Sequence, residues 1–408
     1  MSTKTPARLD RVRQLIDEEL PHLIGIRHDL HAHPELAYQE VRTSGVVQRE
    51  LAEAGVDFVP DLAGGTGVLG HLPGSAETSI GLRADIDALP ILEETGLGYA
   101  SKTSGRMHAC GHDGHTTILL GTARILARLA QEAPLPRPVT LVFQPAEENG
   151  AGGKRMCEDG ALDGSRIGPR VESMFGLHGY TESEVGTVGS RVGPMLAAAD
   201  EVNIVIEGRG GHAAMPHTCA DPVICSAAIV QALQTIVSRN TNPLDSAVVT
   251  ITKMHAGDAF NVIPDRVTLG GTVRSLQEST REELEQRIKE VATGIAAAHD
   301  CTAQVEYLRG YPVTRNDPRA YGRFEAAATG SLGGDRVNPI EHPVMGGEDF
   351  SFYGEAVPAC FFFLGLLTPG ETEMPALHNA RFNFNDEAIR TGIEVFCSLA
   401  LDDSDPLS

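Results

Sequence analysis

Short, mostly apolar runs alternate with helical patterns over most of the chain. The apolar runs that predict strands are Ser79–Ala84, Val139–Phe143, Met174–Leu177 and Ala359–Leu364. Between the first two, Thr116–Ala130 carries apolar residues at helical spacing. Strands that are apolar on both faces and separated by helices are typical of a parallel sheet covered by helices on both sides. The pattern therefore predicts an α/β fold with a mostly parallel sheet.

Two kinds of residue predict where helices begin and end. Residues 8–55 have a helical pattern, and we expect interruptions near Pro21 and Pro34 because proline removes a backbone donor. Asp113 comes shortly before the helix at Thr116–Ala130 and is the candidate for its N-cap.

The middle of the chain has a different pattern. Glu201–Glu207 alternates apolar with polar residues, which is typical of an antiparallel strand with one face in water. The segments that follow are a helix, two strands, a charged amphipathic helix and a last strand, at residues 221–239, 247–253, 266–274, 280–298 and 302–307. This βαββαβ order is self-contained. We therefore predict an inserted α+β domain at residues 196–308, between two parts of the α/β domain at residues 1–195 and 309–408.

Charge and composition exclude several classes of partner. The 408 residues include 33 Lys and Arg and 55 Asp and Glu, so the formal net charge is 33 − 55 = −22. That field repels a phosphate backbone, and no basic stripe is present, so we expect no nucleic-acid partner. No apolar run reaches the ~18 residues that a membrane span needs. Charges also occupy the N-terminus, where a signal peptide would be apolar. We expect a cytoplasmic protein with no membrane partner.

The seven cysteines are scattered along the chain without a CxxC pair. An odd number over this length argues for reduced thiols rather than a disulfide framework. Cys110 differs from the others because it lies in the densest chemical cluster, His108-Ala-Cys-Gly-His112-Asp113. In an extended segment Cys110 and His112 would point to the same side, and both are good ligands for a borderline metal. The alternative is a helix-capping loop with a buried thiol.

Further polar clusters come directly after three predicted strands. They are Arg83-Ala-Asp85-Ile-Asp87, Gln144-Pro-Ala-Glu147-Glu148-Asn149 and Gly176-Leu-His178. Ligands bind outside the carboxyl ends of strands in an open α/β sheet, so these side chains should meet at one edge. His378 lies in a loop near the C-terminus. Each cluster taken alone has an alternative as a solvated loop or a core residue, so the prediction rests on their convergence.

The residue types in these clusters indicate a metal and a hydrolytic reaction. Mixed cysteine, histidine and carboxylate ligation favours zinc, manganese, cobalt or nickel over magnesium or calcium. Five candidate ligands exceed the four of a closed structural zinc site, which indicates two ions or one ion with an open position. Of the adjacent Glu147 and Glu148, one can bind metal while the other moves protons. A metal with a free glutamate beside it is the apparatus for hydrolysis.

Eight segments, in the same order and across nearly the whole chain, resemble the M20 metallopeptidase superfamily. They are Gly81–Pro90, Met107–Asp113, Phe143–Glu148, Gly208–His217, Asn261–Pro264, Gly271–Arg274, Gly346–Phe350 and Leu377–Asn379. The match is to its amidohydrolase branch, which comprises hippurate hydrolases, aminoacylases and auxin-conjugate hydrolases. The resemblance implies a catalytic domain with an inserted lid and dimerisation domain, and a homodimer or a higher homo-oligomer.

The resemblance also implies roles for individual residues. The implied metal ligands are Cys110, His112, Glu148, His178 and His378. Glu147 is implied as the general base, and His212, Asn261 and Arg274 match positions where related enzymes handle substrate. Many superfamily members have a histidine ligand where this chain has Arg83, so Asp85 is expected to support the ligands or to serve structure alone.

These observations predict a metal-dependent amidohydrolase, with two divalent ions per subunit, that acts on N-acyl amino acids. The runner-up is a dipeptidase or aminopeptidase of the same superfamily. A thiol hydrolase with Cys110 as nucleophile would leave Glu147 and Glu148 without a role. A metal-binding scaffold without activity would need ligands but no base.

Overall fold

The computed structural model describes residues 4–403. Its helices are α1 (Lys4–Ala32), α2 (Val41–Glu53), α3 (His112–Glu132), α4 (Glu147–Gly150), α5 (Gly152–Glu158), α6 (Pro222–Thr235), α7 (Glu278–Ala298), α8 (Pro318–Leu332), α9 (Ser351–Ala356) and α10 (Glu387–Leu401). Its strands are β1 (Asp57–Leu62), β2 (Gly67–Leu72), β3 (Ser79–Asp85), β4 (Val139–Gln144), β5 (Val171–Glu184), β6 (Val188–Ser190), β7 (Gly193–Leu196), β8 (Ala198–Glu207), β9 (Gly211–His212), β10 (Ala247–Ala256), β11 (Val262–Ile263), β12 (Arg266–Ser275), β13 (Thr302–Tyr311), β14 (Thr314–Asn316), β15 (Val337–Pro339) and β16 (Ala359–Leu367).

The chain divides into two compact units. The larger unit comprises Met1–Met195, Arg315–His342 and Asp349–Ser408, and the inserted unit comprises Leu196–Thr314 and Pro343–Glu348. The inserted unit thus extends six residues past the predicted boundary at 308, because β13 continues to Tyr311 against β8. It also includes a short return segment, in which the carbonyls of Val344 and Gly346 accept from the N–H of Ala197.

The larger unit contains an eight-stranded sheet in the order β1-β2-β4-β3-β5-β16-β6-β15. Its centre is parallel, since β3 pairs in parallel with β4 and β5, and β5 with β16. Every residue of β3, β4 and β16 is buried, which explains their mostly apolar sequences. The predicted α/β class with a mostly parallel sheet is confirmed.

The N-terminal helix α1 shows that the predicted interruption at Pro21 was wrong, because the helix continues through this residue to Ala32. Leu15, Ile16 and Leu23 are fully buried on both sides of the proline. Their packing offsets the lost backbone bond, which costs roughly 3 kcal/mol in an unsupported helix. The helix does end just before Pro34, as expected.

The inserted unit is a four-stranded antiparallel sheet in the order β10-β12-β8-β13, with α6 and α7 packed against it. The predicted βαββαβ order is confirmed. By length and composition alone, Pro222–Asn240 could cross a membrane (mean hydropathy 1.2). Its Ile229 and Leu233 are buried in the core of this unit, whereas Ile224 is exposed, and a third of this segment is buried.

Candidate metal centre

The turn that carries Cys110 and His112 depends on the glycine between them. Gly111 has φ 88°, a left-handed conformation, and a Cβ there would lie 2.9 Å from the ring of Phe384. This turn starts α3 at His112, so Asp113 lies in the first turn and is not the N-cap that the sequence predicted. Its carboxylate oxygen Oδ2 instead accepts from residues of α1, namely His31 Nδ1 at 2.9 Å and Arg27 Nη1 at 3.1 Å.

His112 is oriented by Asp87. Its Nδ1 lies 2.9 Å from the backbone oxygen and 3.1 Å from the carboxylate oxygen Oδ1 of Asp87, so Nδ1 carries the donated proton. The other ring nitrogen, Nε2, is buried and has no hydrogen-bond partner among residues 4–403. A buried histidine nitrogen left in this way is an available ligand atom, and the bond at the opposite nitrogen fixes its direction.

Glu147 and Glu148 begin a short helix directly after β4. Ala146, which precedes them, has the left-handed angles φ 54° and ψ 45°. The backbone N–H of Glu148 donates to Asp87 Oδ2 at 3.1 Å. Asp87 therefore connects the loop of the two glutamates to His112, although the sequence assigned it no role.

His178 and His378 approach the sulfur of Cys110 from two further segments. His178 Nδ1 donates to the carbonyl of Gly179 at 2.8 Å, and its Nε2 lies 3.3 Å from Cys110 Sγ. His378 Nε2 lies 3.3 Å from Cys110 Sγ and 3.3 Å from Glu148 Oε1. The predicted position of His178 beyond a strand was wrong, because β5 continues to Glu184.

The predicted ligand atoms come together in three overlapping triplets. Within each triplet the ligand atoms lie within 4.8 Å of one another. The triplets are Cys110, His112 and His178; Cys110, Glu148 and His378; and His112, Glu147 and Glu148. All five predicted ligands and Glu147 therefore lie in one cluster of the larger unit. One thiol, three imidazoles and a carboxylate fit a borderline divalent metal. Among residues 4–403, His112 Nε2 has no hydrogen-bond partner, and it lies 3.6 Å from Asp85 Oδ2.

The charges around the cluster favour a cation. Burial acts to lower the pKa of His112, but Asp85 and Asp87 outweigh it and raise that pKa to about 10. Burial and the carboxylates of Glu148 and Glu147 raise the pKa of the Cys110 thiol well above its usual range. Burial, with His115 nearby, lowers the pKa of His178 to about 3, so this imidazole is neutral at physiological pH. The surroundings thus favour positive charge near His112, which a metal ion can supply in place of a proton.

Asp85 supports the cluster through His115, a residue that the sequence analysis missed. Asp85 Oδ1 lies 2.7 Å from His115 Nδ1, and Oδ2 accepts from Arg83 Nη1 at 2.7 Å. His115 Nε2 accepts from the N–H of Gly179 at 2.9 Å. Asp85, His112 and His115 also form a triplet of possible ligands, but both His115 nitrogens are engaged. The spacing of His112 and His115, three residues apart on one helix face, was the signal for it.

Arg83 organises a fully buried polar network behind the cluster. Its Nε donates to Gln144 Oε1 at 2.8 Å, and its Nη2 donates to Asp349 Oδ1 at 2.9 Å. Asp349 Oδ2 also accepts from the N–H of Gly153 at 2.8 Å. Each buried donor and acceptor here finds a charged or amide partner, which makes such a network rigid.

In the inserted unit, His212 and Asn261 are neighbours. His212 in β9 pairs with Val262 of β11, the residue after Asn261, and the carbonyl of Asn261 accepts from the N–H of Ala213 at 3.0 Å. His212 Nδ1 accepts from the N–H of Ala214 at 3.1 Å, so the proton of the neutral ring is on the exposed Nε2.

Arg274 lies elsewhere in the inserted unit. It pairs with Ala199 near the start of β8, whereas Arg266, at the other end of β12, pairs with Glu207 at the end of β8. Eight residues of extended strand correspond to roughly 27 Å. The structure therefore does not bring Arg274 together with His212 within one chain. Arg274 Nη1 donates to the hydroxyl of Thr272 and the carbonyl of Val273, and within residues 4–403 its Nε and Nη2 have no partner.

Comparison with known proteins gives three findings. The sequence matches peptidase family M20/M25/M40 over residues 81–402. It is 40% identical over 382 residues to IAA-amino acid hydrolase ILR1-like 4 of Arabidopsis thaliana, covering 93% of this chain and 84% of that protein. It is 43% identical over 369 residues to N-acetyl-L-cysteine deacetylase of Bacillus subtilis (strain 168), covering 90% and 84%.

A solved structure shares the fold over nearly the whole length. The crystal structure of the Bacillus subtilis YXEP protein, described as a dinuclear metal binding peptidase from the M20 family, superposes with a TM-score of 0.79. The sequence identity is 35%, and the match covers 94% of this chain and 98% of that one. The family match and the length of these similarities show that the chain belongs to peptidase family M20/M25/M40.

Proposed function

We propose that this protein is a metal-dependent amidohydrolase that cleaves N-acyl amino acids. The observation that carries the proposal is the convergence of Cys110, His112, Glu148, His178 and His378 in one cluster, with Glu147 beside it. The cluster is buried at Cys110 and His112 and exposed at His378. The substrate class is supported by relatives named as an IAA-amino acid hydrolase and an N-acetyl-L-cysteine deacetylase.

The five ligands would hold a divalent metal, and we propose two ions per subunit. Two of the triplets share Cys110, and the similar Bacillus subtilis structure is described as dinuclear. Zinc, manganese, cobalt and nickel all suit this donor set. When bound, the metal polarises the amide carbonyl and lowers the pKa of a water molecule.

Glu147 is the proposed general base. Its side chain is 6% exposed and lies within one triplet with His112 and Glu148. It would accept a proton from the attacking water and pass the proton to the leaving nitrogen. Glu148, whose carboxylate lies 3.3 Å from His378, would be occupied as a ligand, so the two adjacent glutamates have separate roles.

Cys110 is better suited to metal binding than to nucleophilic attack. A cysteine nucleophile needs a lowered pKa, whereas burial and two carboxylates raise the pKa of this thiol. Its sulfur also contacts both His178 and His378, which corresponds to a shared ligand rather than to a single histidine base. The thiol-hydrolase alternative is therefore disfavoured.

Substrate recognition is proposed for the inserted unit. His212 presents an N–H that can bond to the developing oxyanion, and Asn261 beside it can add a second bond. Arg274 has two guanidinium nitrogens available for the carboxylate of the amino acid. His212 lies in β9, which pairs with β11 just before the Arg266 end of β12, whereas Arg274 lies near the other end of β12. We therefore propose that one substrate meets them from different subunits of a homodimer. We expect the dimer to be cytoplasmic.

The test starts with metal analysis of the purified protein. The protein is then assayed on N-acetyl, N-benzoyl and N-indoleacetyl amino acids, with unblocked dipeptides as the alternative substrates. We expect activity on at least one N-acyl series and its loss on chelation. Faster turnover of the dipeptides would show that the protein is a dipeptidase or aminopeptidase instead.

Glu147→Gln tests the base. It retains size and polarity but removes basicity, so kcat should fall by about 10²–10⁴-fold with metal content unchanged. Glu158→Gln, at an exposed carboxylate of α5, is the matched control and should behave as wild type. If Glu147→Gln retained the kcat of the control, the assignment of the base would be wrong.

A further inference from the structure

The segment Tyr38–Glu40, between α1 and α2, contacts the loop of the proposed base but has no part in the reaction. Glu40 occupies the N-cap position of α2, yet its side chain makes no bond to that helix. Glu35 does so instead, accepting from the N–H groups of Arg42 and Thr43 at 3.0 and 2.8 Å. The carboxylate of Glu40 is therefore free to bond elsewhere.

Glu40 is completely buried and bonds to three donors. Its Oε1 accepts from the N–H of Ala146 at 3.0 Å and from the N–H of Tyr38 at 2.9 Å. Its Oε2 accepts from the hydroxyl of Thr66 at 2.9 Å. The bonds from Tyr38 and Thr66 fix the carboxylate in place. The bond from Ala146 connects it to the backbone of the residue just before Glu147.

Ala146 has a conformation that needs such support. It adopts φ 54° and ψ 45°, which residues with a Cβ rarely do, and it is fully buried. The direction in which the chain leaves Ala146 sets where the backbone of Glu147 starts. The bond from Ala146 to Glu40 therefore constrains the carboxyl group of Glu147.

Tyr38 holds the other end of the same short helix, α4. Its hydroxyl donates to the carbonyl of Gly150, the last residue of α4. A Cβ on Gly150 would lie 2.5 Å from the Tyr38 ring, so the ring packs directly against this backbone. The four residues Glu147–Gly150 are thus bounded at their start by Glu40 and at their end by Tyr38.

We propose that Glu40 and Tyr38 are positioning residues that clamp both ends of the Glu147–Gly150 turn and so hold Glu147 at the reacting water. The inference rests on the proposed function, because it takes Glu147 to be the base. Neither residue is assigned a contact with metal or substrate. Because the turn also contains Glu148, a proposed metal ligand, their loss should slow the chemical step even when the metal is supplied in excess.

Two substitutions at Glu40 separate positioning from charge. Glu40→Leu removes the acceptor, and displacement of a catalytic group by ~1 Å can cost about 10²-fold, so kcat should fall by about 10–100-fold. With the divalent metal in excess, KM should stay at the wild-type value. Glu40→Gln keeps an amide oxygen for Ala146 and should retain kcat within about threefold. Burial raises the pKa of Glu40 to about 7, so the neutral amide resembles a form that the native carboxyl itself takes.

Glu50→Leu is the matched control. Glu50, in α2, is likewise a buried glutamate (2% exposed), but its partners are His22, Arg49 and Arg124, which lie outside the candidate metal centre. It should lower thermal stability without changing kcat. Tyr38→Phe keeps the ring and removes only the hydroxyl, and kcat should fall by about 3–10-fold. This milder variant gives the result if Glu40→Leu does not fold.

The outcomes separate this inference from the proposed function. Wild-type amidase activity that is lost in Glu147→Gln supports the function by itself. Given that result, a wild-type kcat in Glu40→Leu, or in Tyr38→Phe if the leucine variant does not fold, would overturn the positioning role alone. Equal losses in Glu40→Leu and Glu40→Gln would also overturn it, because they would show that the charge matters and not the clamp. Full activity of Glu147→Gln would overturn the assignment of the base and this inference together, whereas absence of amidase activity in wild type would overturn the proposed function.

Discussion

The ion pair between His31 of α1 and Asp113, in the first turn of α3, should make the free energy of unfolding depend on pH. His31 is fully buried, with Nδ1 2.9 Å from Asp113 Oδ2 and Nε2 3.3 Å from Glu93 Oε1. Burial acts to lower the pKa of His31, but the bonds to Asp113 and Glu93 outweigh it and raise that pKa from 6.5 to about 9. In the unfolded chain these partners are absent, so the pKa returns to about 6.5.

The direction of the pH dependence is set by the state, folded or unfolded, that binds the proton of His31 more tightly. Because the folded-state pKa is the higher one, the stabilisation is complete below pH 6.5 and is lost as the pH rises through 9. The interval from 6.5 to about 9, at about 1.4 kcal/mol for each pH unit, corresponds to about 3 kcal/mol. His31→Gln stays polar but cannot carry the proton. The advantage of wild type over this variant should therefore shrink by about 3 kcal/mol across that interval.

Scanning calorimetry with the same divalent metal in every buffer measures the effect. At roughly 2 °C for each kcal/mol, the difference in Tm between wild type and His31→Gln should shrink by about 6 °C between acidic and alkaline buffer. His22→Gln, at a half-exposed histidine of the same helix paired with Glu50, is the control and should give a nearly constant difference. A difference for His31→Gln that is equally constant would show that the buried histidine does not carry the proton.

Three further outcomes are expected. Cys110→Ser should lose metal and activity together, because a serine hydroxyl stays protonated and is a poorer ligand; full metal content measured by atomic absorption would show that the thiol only packs. Arg274→Lys should lower kcat/KM strongly on the free acid of an N-acyl amino acid and little on its amide; equal discrimination by the variant and wild type would exclude Arg274 as the carboxylate receptor. Sedimentation at micromolar concentration should give a dimer, and a monomer that is fully active would contradict the shared site.

Periodicity predicted the fold well where one physical effect dominates the sequence. The strands of the inserted unit were visible because one face is in water, and the central strands because both faces are buried. The interruption at Pro21 was wrong because buried packing along α1 outweighs a local penalty. The predicted N-cap role of Asp113 was wrong because Gly111 makes the turn into α3. The carboxylate of Asp113 instead bonds to His31 of α1, which is 82 residues away along the chain. Local propensity contains no information on that partner.

The side chains that the sequence predicted as ligands do converge, although His178 lies inside β5 and not beyond its end. The residues around them were largely missed. Glu40 has no distinctive neighbour in sequence, and Asp87 was noted only as part of a polar cluster. The three-dimensional structure shows that both hold the loop of Glu147 and Glu148. Arg83 was noted only because many superfamily members have a histidine ligand at this position. In the structure it is the centre of a buried polar network.

The spread of the cluster along the chain has a consequence for biosynthesis. Cys110, His112, Glu148 and His178 precede the inserted unit in the sequence, and His378 follows it. His178 and His378 are separated by 378 − 178 = 200 residues, which a ribosome adds in roughly 10–40 s. During that interval a thiol and an acidic pair that will later be buried are accessible to wrong ions and to oxidants, while most of the inserted unit can already fold. Expression yield of correctly metallated enzyme should therefore depend on metal supply and thiol protection during synthesis more than on refolding afterwards.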